Sequence, residues 1–167
     1  IIFSKHRNGE AMSLKVVVWG TGNVGRPAIR AVLSHSQLQL LGVVVANPDK
    51  VGRDAGEIAG VAAVGVRATQ DWQSLLASKP DAVIYTATAD TRPQEALADL
   101  LACLKAGINV VSSSFYVFLH PASAPAELQA LIDDACAASG ASLLVSGIDP
   151  GWAMDMLPVV LSGAVAD

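Results

Sequence analysis

Short apolar runs alternate with amphipathic stretches along the chain. Residues 14–19 form a nearly continuous apolar run, typical of a strand buried on both faces of a parallel sheet, and the run ends at Gly20. Residues 26–34 follow, with Pro27 in the first turn and apolar side chains along one face, which predicts a helix. The first regular segment is therefore strand, glycine turn and helix.

The same alternation continues through the rest of the sequence. Further strands are predicted at residues 38–46, 64–68, 81–87, 109–113 and 142–146, the second of these with a weaker pattern. Further helices are predicted at residues 71–78, 91–106, 124–139 and 152–160, with Asp71 as an N-cap and Gly107 and Gly140 as stops. Strands alternating with helices favour right-handed crossovers, so we predict an α/β fold with a doubly wound, mostly parallel sheet.

Composition narrows the class of protein. The chain has 167 residues, of which 52% are hydrophobic, 16% charged and 5% aromatic, which suits one packed domain and excludes a disordered or collagen-like chain. No window approaches the roughly 18 uninterrupted apolar residues of a membrane span. The formal net charge of -4 offers no general attraction for nucleic acid or anionic lipid. We therefore expect a small-molecule partner rather than nucleic acid or a membrane.

The two cysteines give no sign of a metal site or a disulfide framework. Cys103 and Cys136 fall within predicted helices, and neither belongs to a Cys-x-x-Cys or Cys/His cluster. We expect both to be buried, reduced thiols, and we expect no metal site.

The glycine turn after the first strand carries the strongest chemical signal. Its residues are Gly20, Thr21, Gly22, Asn23, Val24 and Gly25, a Gly-x-Gly-x-x-Gly pattern. In such a turn the first glycine allows the bend, the second lets a pyrophosphate approach the backbone, and the third lets the helix pack on the strand. The helix N-terminus offers unpaired N–H groups to the anion. The context predicts a Rossmann dinucleotide-binding domain; the alternative is a merely structural glycine turn.

The end of the second strand bears on which dinucleotide binds. NAD-binding turns place an Asp or Glu about twenty residues after the glycines, where it accepts from the ribose 2′-OH. That position holds Asn47, with Lys50 and Arg53 close behind, and these three residues could receive the 2′-phosphate of NADP. We therefore favour NADP over NAD. The alternative is that Asp49 serves NAD and the two cations are ordinary solvated charges.

Small and hydroxyl side chains follow two later strands. Thr86, Ala87 and Thr88 end the predicted fourth strand, and Ser112 and Ser113 end the fifth, at the carboxyl edge of the sheet where ligands of such folds bind. We expect them to leave room for the nicotinamide end of the cofactor and to line it. For each serine the alternative is a hydroxyl that only caps a strand end.

Three segments together resemble a known family. They are residues 51–60 (Val-Gly-Arg-Asp-Ala-Gly-Glu-Ile-Ala-Gly), 87–93 (Ala-Thr-Ala-Asp-Thr-Arg-Pro) and 110–116 (Val-Val-Ser-Ser-Ser-Phe-Tyr). Over about residues 14–161 the chain is similar to the dihydrodipicolinate-reductase-like family, and within it to the branch of 2,4-diaminopentanoate dehydrogenases and native amine dehydrogenases. The resemblance implies hydride transfer between NAD(P)H and a carbon–nitrogen bond, with a small amine, imine or ketone as substrate.

A later turn extends the resemblance. Residues 146–152 are similar to the Asp/Asn-Pro-Gly turn by which related amine dehydrogenases close the cofactor site and enter a substrate domain. The resemblance implies cofactor contacts for Asp149 and Pro150, with Asp149 and Trp152 facing the nicotinamide or the substrate. In the alternative, Asp149 and Trp152 only cap and pack a helix. The chain lacks the His-His and Lys-Ser-Gly-Thr segments that dihydrodipicolinate reductase carries in its second domain.

The resemblance also suggests how the chain is organised. We expect residues 1–11 to be upstream sequence, natural or artificial, before an initiator at Met12, and residues 12–151 to form the Rossmann domain. Residues 152–167 would then begin the connection to a substrate domain that this chain lacks. The related proteins imply a homodimer at full length, and the missing export signal makes the cytoplasm the default location.

Catalytic candidates are few. Tyr116 and His120 follow the fifth strand, where a proton donor could reach an imine nitrogen, although His120 could equally be structural and neither has a visible partner in the sequence. Two other functions compete with the oxidoreductase: a non-catalytic NAD(P)-binding sensor module, and the cofactor domain of a carbonyl dehydrogenase of homoserine or aldehyde type.

Overall fold

A computed structural model describes residues 6–7, 10–11 and 13–165; the predicted initiator, Met12, lies outside them. The strands are β1 (His6–Arg7), β2 (Glu10–Ala11), β3 (Leu14–Trp19), β4 (Leu38–Val44), β5 (Ala68–Thr69), β6 (Ala82–Tyr85), β7 (Asn109–Ser112) and β8 (Leu143–Val145). The α-helices are α1 (Gly25–Ser34), α2 (Ala55–Ala59), α3 (Trp72–Ala77), α4 (Pro93–Lys105), α5 (Ala126–Ser139) and α6 (Leu157–Gly163). Short 3₁₀ turns lie at Pro48–Lys50, Tyr116–Phe118 and Pro121–Ser123, and a π-helix spans Ile148–Met156.

Six strands form one sheet in the order β5-β4-β3-β6-β7-β8. The pairs β3–β4, β4–β5 and β7–β8 are parallel, with Leu14 opposite Leu38 in the first of them. The sheet grows outward from β3 in one direction through β4 and β5, and in the other through β6, β7 and β8, so the strand order reverses there, as in a doubly wound fold. The predicted α/β fold is confirmed. β1 and β2 form a separate antiparallel pair.

The chain divides into two compact units, Ile1–Ile84 and Tyr85–Asp167. In the first unit the apolar run of β3 is buried from Val16 to Trp19, as expected for an interior strand. One core cluster of this unit consists of Val16, Val18, Ile29, Val32, Leu40, Val43, Val45, Ala55, Ile58, Ala59 and Ala68. The predicted apolar face of α1 is therefore the face that packs inward.

The second unit has its own buried residues. Leu100 and Leu104 of α4 are fully buried, as are Ile108 and Val110 nearby, and α5 buries Ile132 and Ala135. α4 and α5 are followed by Gly107 and Gly140, at φ 77° and 74°, the left-handed conformation that glycine adopts without a Cβ penalty. Both predicted helix stops are confirmed.

In the first unit one prediction was wrong and one helix was missed. Residues 64–68 do not form a strand: only Ala68–Thr69 pair with β4, because the N–H groups of Val64 and Gly65 donate to the carboxylate of Asp54 instead. The five-residue helix α2 was not predicted, because so short a segment gives little helical periodicity. The N-cap of α3, Asp71, accepts from the N–H of Ser74 as predicted (3.0 Å).

The last predicted helix differs in form from the expectation. A π-helix starts at Ile148, four residues before the predicted start, and α6 follows it directly, with Pro158 as its second residue. Many of the apolar side chains here are exposed: Ile148, Trp152, Met154, Met156, Val159, Val160, Leu161 and Val165.

The cysteines are only partly as predicted. Both are free, and Cys103 is fully buried, which raises the pKa of its thiol to about 12. Cys136 is half-buried rather than buried, although burial still raises its pKa. Among the described residues, no three His, Cys, Asp or Glu side chains are grouped so that they could hold a metal ion. Within the same residues, no helix combines the length and apolarity needed to cross a membrane.

Candidate dinucleotide site

The glycine turn joins β3 to α1 within the first unit. Gly20 adopts φ 110°, a conformation that favours glycine, and its N–H donates to the carbonyl of Val44 at 3.0 Å. Helix α1 begins at Gly25, and Val24, its N-cap residue, makes no side-chain capping bond. A ten-residue helix thus presents its N-terminus without a side-chain cap, an arrangement that favours an anionic ligand.

Gly22 lies beside open space in the glycine turn. A Cβ placed on Gly22 would meet no heavy atom within 4 Å, and the residue is exposed, as are Asn23 and Val24. Its carbonyl accepts from the N–H of Arg26 at 3.1 Å, which fixes the backbone at the helix entrance. Thr21, in contrast, is buried. Open space beside an exposed backbone is what the close approach of a pyrophosphate requires.

A second turn places a cation beside the first. Asn47 accepts from the N–H of Asp49 through its Oδ1 atom (2.9 Å) and so caps the 3₁₀ turn Pro48–Lys50. The Nζ of Lys50 then donates to the carbonyl oxygen of Thr21 at 3.0 Å and contacts its Oγ1 at 3.2 Å. The structure therefore brings Asn47 and Lys50 to the glycine turn. Arg53 is exposed, and only its backbone N–H bonds to this turn, through the carbonyl of Lys50 (3.2 Å).

Asp54 organises the loop that follows. As the N-cap of α2 it accepts from the N–H of Gly56 at 2.8 Å, and it also accepts from the N–H groups of Val64 (2.9 Å) and Gly65 (2.8 Å). Gly56 fits only because it lacks a side chain, since a Cβ there would collide with the carbonyl oxygen of Ala62. We use the name Asp54 clasp for the carboxylate of Asp54 and the three backbone N–H groups that donate to it. Its packing accounts for the Asp-Ala-Gly part of the motif at residues 54–56.

In the second unit, a partly buried polar cluster ties the end of β6 to α4. The hydroxyl of Tyr85 donates to Oδ2 of Asp99 at 2.8 Å, and Arg92 forms an ion pair with the same oxygen at 3.1 Å. Arg92 also contacts the Tyr85 oxygen at 3.4 Å. Burial, together with the Asp99 hydrogen bond, raises the pKa of Tyr85 far above its usual range. This cluster fixes both ends of the segment 86–91.

The serines after β7 mostly turn inward. The hydroxyl of Ser112 is fully buried: it donates to the carbonyl of Ser114 at 3.0 Å and accepts from the Ser114 N–H at 3.0 Å. The Ser114 hydroxyl donates to the carbonyl of Ala87 at 2.5 Å. Ser113 is half-buried, and its N–H donates to the carbonyl of Tyr85 at 3.1 Å. Ser112 therefore presents no hydroxyl to a ligand, whereas Ser113 remains accessible.

Both catalytic candidates have partners that the sequence did not reveal. Tyr116 is 49% exposed, and its hydroxyl donates to Oδ2 of Asp90 at 3.1 Å, which raises the pKa of the tyrosine. The Nδ1 of His120 lies 2.7 Å from the hydroxyl of Ser123, within the turn that precedes α5. The hydrogen bond to Asp90 therefore favours the protonated phenol of Tyr116, and His120 is engaged in a local turn.

The remaining predicted residues of the second unit lie after β6 and on the π-helix. Thr86 is half-buried, and Thr88 is exposed with its Oγ1 accepting from the N–H of Asp90 at 3.3 Å. Asp149 is exposed on the π-helix, and Pro150 occupies the next position of that helix. Gly151, in the same helix, adopts φ 130°, a conformation that favours glycine.

Comparison with known proteins identifies relatives of this chain by sequence. Residues 14–114 match the family model described as dihydrodipicolinate reductase, N-terminus. The chain belongs to the dihydrodipicolinate reductase family. It is 50% identical over 151 residues to an amine dehydrogenase of Streptomyces virginiae, a match that covers 90% of this chain and 42% of that protein. It is 32% identical over 100 residues to a 4-hydroxy-tetrahydrodipicolinate reductase of Picosynechococcus sp., covering 59% of this chain and 36% of the reductase.

A solved protein has a similar fold. The structure of an amine dehydrogenase from Mycobacterium smegmatis superposes with a TM-score of 0.67 at 24% identity, over 94% of this chain and 45% of that one. The chain thus spans less than half the length of these relatives. The family match includes the glycine turn and the Asp54 clasp but ends at Ser114, so Tyr116, His120 and Asp149 lie beyond it.

The Asp54 clasp should make the stability of the fold depend on pH in the acid range. Hydrogen bonds from the N–H groups of Val64, Gly56 and Gly65 lower the pKa of Asp54 below its ordinary value of 3.8. A carboxylate with a lowered folded pKa contributes stability that is complete above the unfolded pKa and is lost as pH falls through the folded value. We therefore expect wild type to lose more stability than Asp54→Asn between about pH 5 and pH 2.

Urea unfolding at a series of pH values measures this difference. Asp49→Asn is the matched control, because the side chain of Asp49 is exposed and only its backbone N–H contributes to the neighbouring turn. Its curve should run parallel to wild type. Equal slopes for Asp54→Asn and wild type across the acid range would contradict the assigned role of the clasp.

Proposed function

We propose that the chain is the cofactor-binding part of an NAD(P)-dependent oxidoreductase acting on carbon–nitrogen bonds. The observation that carries the proposal is the glycine turn, where open space at Gly22 meets the uncapped N-terminus of α1. The relative with 50% identity is named an amine dehydrogenase. This supports carbon–nitrogen chemistry over the two alternatives, a carbonyl dehydrogenase and a sensor module.

The residues of the first unit suit the phosphates of the cofactor. Gly22, Asn23 and Val24 are exposed beside the helix N-terminus and would meet the pyrophosphate, while Asn47 and Lys50 would meet the adenosine ribose. An ammonium group at the turn favours the 2′-phosphate of NADP, so we propose NADP as the preferred cofactor. Arg53 is free to join them through its exposed side chain.

The second unit would serve the nicotinamide end. Thr86, Ala87, Thr88 and Ser113 follow β6 and β7, at the carboxyl ends of parallel strands, where ligands of this fold class bind. Asp149 and Pro150 are proposed to close the site as the family resemblance implies. We propose that the protein acts in the cytoplasm as a homodimer when its substrate domain is attached, with the exposed apolar side chains of residues 148–165 packing against further protein.

The proposed reaction joins cofactor and nitrogen chemistry. When bound, the nicotinamide supplies or accepts a hydride. With the cofactor bound, hydride addition to the carbon of an iminium ion would give the amine, as the C=N electron pair moves to nitrogen. The reverse direction would give the iminium, which water would hydrolyse to a ketone and ammonium. The chain's own residues bind and orient the reactants rather than form covalent intermediates.

A direct titration tests the cofactor step. NADPH and NADH are added to the protein, and the intrinsic tryptophan fluorescence and the nicotinamide emission are followed. We expect saturable binding of both cofactors, with NADPH the tighter. No binding of either at millimolar concentration would overturn the proposed function. Steady-state oxidation of NADPH with a ketone, with and without ammonium, then separates carbonyl reduction from reductive amination.

Lys50 should decide the preference between the two cofactors. We expect Lys50→Met to weaken NADPH binding roughly tenfold or more, because a charged hydrogen bond to the 2′-phosphate is lost, and to weaken NADH binding less than about threefold. Lys50→Arg should keep most of the preference. Isothermal titration with each cofactor measures both constants.

Lys105→Met, which removes an exposed lysine from the end of α4, is the matched control and should bind both cofactors as wild type does. An equal loss of NADPH and NADH binding in Lys50→Met would show that Lys50 only supports Thr21. It would remove the main support for an NADP preference.

A further inference from the structure

Asp90 and Tyr116 form an exposed pair in the second unit. Asp90 belongs to the segment after β6 and Tyr116 to the 3₁₀ turn after β7, so each follows the carboxyl end of a parallel strand. Their side chains meet through the hydrogen bond from the tyrosine hydroxyl to Oδ2 of Asp90. A carboxylate and a phenol therefore face solvent together at the edge of the sheet where ligands of this fold class bind.

The residue before Tyr116, Phe115, has a strained backbone conformation. Phe115 adopts φ 62° and ψ 55°, a left-handed conformation that is unfavourable for a bulky side chain. Its ring is buried and packs on Phe118, with the centroids 6.0 Å apart, and this packing holds the residue in place. Tyr116 follows directly in the chain, so the packing of its neighbour fixes the backbone from which its side chain reaches Asp90.

The segment that carries Asp90 is fixed at both ends. Tyr85 lies just before it and Arg92 just after it, and both bond to Asp99. Because Arg92 is committed to Asp99, it does not neutralise Asp90. Among the residues that the structure describes, no lysine, arginine or histidine side chain pairs with Asp90. The carboxylate is thus positioned, exposed and without a cationic partner in that part of the chain.

We propose that Asp90, assisted by Tyr116, binds the positively charged nitrogen of the substrate. A carboxylate attracts an ammonium or iminium ion and accepts its N–H bonds, and the tyrosine oxygen offers a further acceptor next to it. The substrate class is therefore a protonated primary amine or the matching iminium ion. This inference rests on the proposed function, since it assigns a residue to the nitrogen of that reaction.

Simple ions test the site without any need for turnover. Isotope-labelled protein is titrated with n-butylammonium, and amide chemical shifts are followed by NMR, with n-butanol as the neutral probe of equal length. We expect saturable shifts around Asp90 and Tyr116 with the cation and none with the alcohol. Asp90→Asn should abolish these shifts. Tyr116→Phe should weaken binding roughly threefold, as expected for one lost acceptor.

Asp134→Asn is the matched control, because Asp134 is an exposed acidic residue on α5 of the same unit. This variant should give the wild-type response. If Asp90→Asn responds like wild type, or if butanol produces the same shifts as butylammonium, the inference is overturned.

A parallel NADPH titration of the same samples separates the two levels of the proposal. Wild type that binds NADPH but shows no cation-specific shift overturns the nitrogen site and leaves the proposed function standing. Wild type that does not bind NADPH overturns the proposed function, and the assignment of Asp90 to its reaction falls with it.

Discussion

Replacing Gly22 by aspartate should abolish dinucleotide binding and leave the fold intact. A Cβ at this position meets no heavy atom within 4 Å, so the new side chain starts in open space. The space it would occupy is the space that a pyrophosphate needs. Two negative groups about 4 Å apart repel by roughly 4 kcal/mol near a protein surface, so we expect at least a hundredfold loss of affinity for both NADPH and NADH.

Two further variants test whether the loss of affinity comes from the charge rather than the added volume, and whether it is specific to the glycine turn. Gly22→Ala adds volume without charge and should weaken binding less than Gly22→Asp. Gly163→Asp is the matched control, since a Cβ on Gly163 in α6 would also meet no heavy atom within 4 Å, and the residue belongs to the other unit. Circular dichroism and thermal melting establish that all three fold. Unchanged cofactor affinity in Gly22→Asp would contradict the placement of the pyrophosphate at this turn.

The parts of the fold predicted from sequence are those fixed by local patterns. The run of β3 was recognisable because consecutive apolar residues suit an interior parallel strand, and Gly107 and Gly140 end their helices through a backbone conformation that depends on one residue. Asp71 was recognisable for the same reason, because an N-cap acts within three residues. In each case the information needed lies within one short segment.

Several of the functional contacts that were missed join residues far apart in the sequence. Asp54 bonds to N–H groups ten and eleven positions away, Tyr85 to a carboxylate fourteen positions away, and Tyr116 to Asp90 across twenty-six positions. No periodicity records such pairs. The Asp-Ala-Gly-Glu segment was recognisable in the sequence as a family motif. Only the three-dimensional contacts show that its first residues have a packing role rather than a chemical one.

Gly56 shows how strongly packing specifies that segment, and Gly56→Ala should be the most destabilising small substitution in the first unit. The new methyl group would overlap the carbonyl oxygen of Ala62 and lie 3.1 Å from Oδ1 of Asp54, so backbone on both sides of the clasp would have to move. Overpacking of this kind costs about 1–3 kcal/mol, which corresponds to a fall of roughly 3–10 °C in Tm for a chain of this size.

A graded series of glycine variants tests the cause. Gly42→Ala would press only on the methyl ends of Leu75, which can rotate, so it should cost less than Gly56→Ala. Gly163→Ala meets open space and should change stability by no more than about 0.5 kcal/mol in either direction. Urea and thermal unfolding measure all three. If Gly56→Ala is as stable as Gly163→Ala, the clasp is looser than its hydrogen bonds indicate, and the motif at residues 54–57 would then require a chemical explanation such as contact with the cofactor.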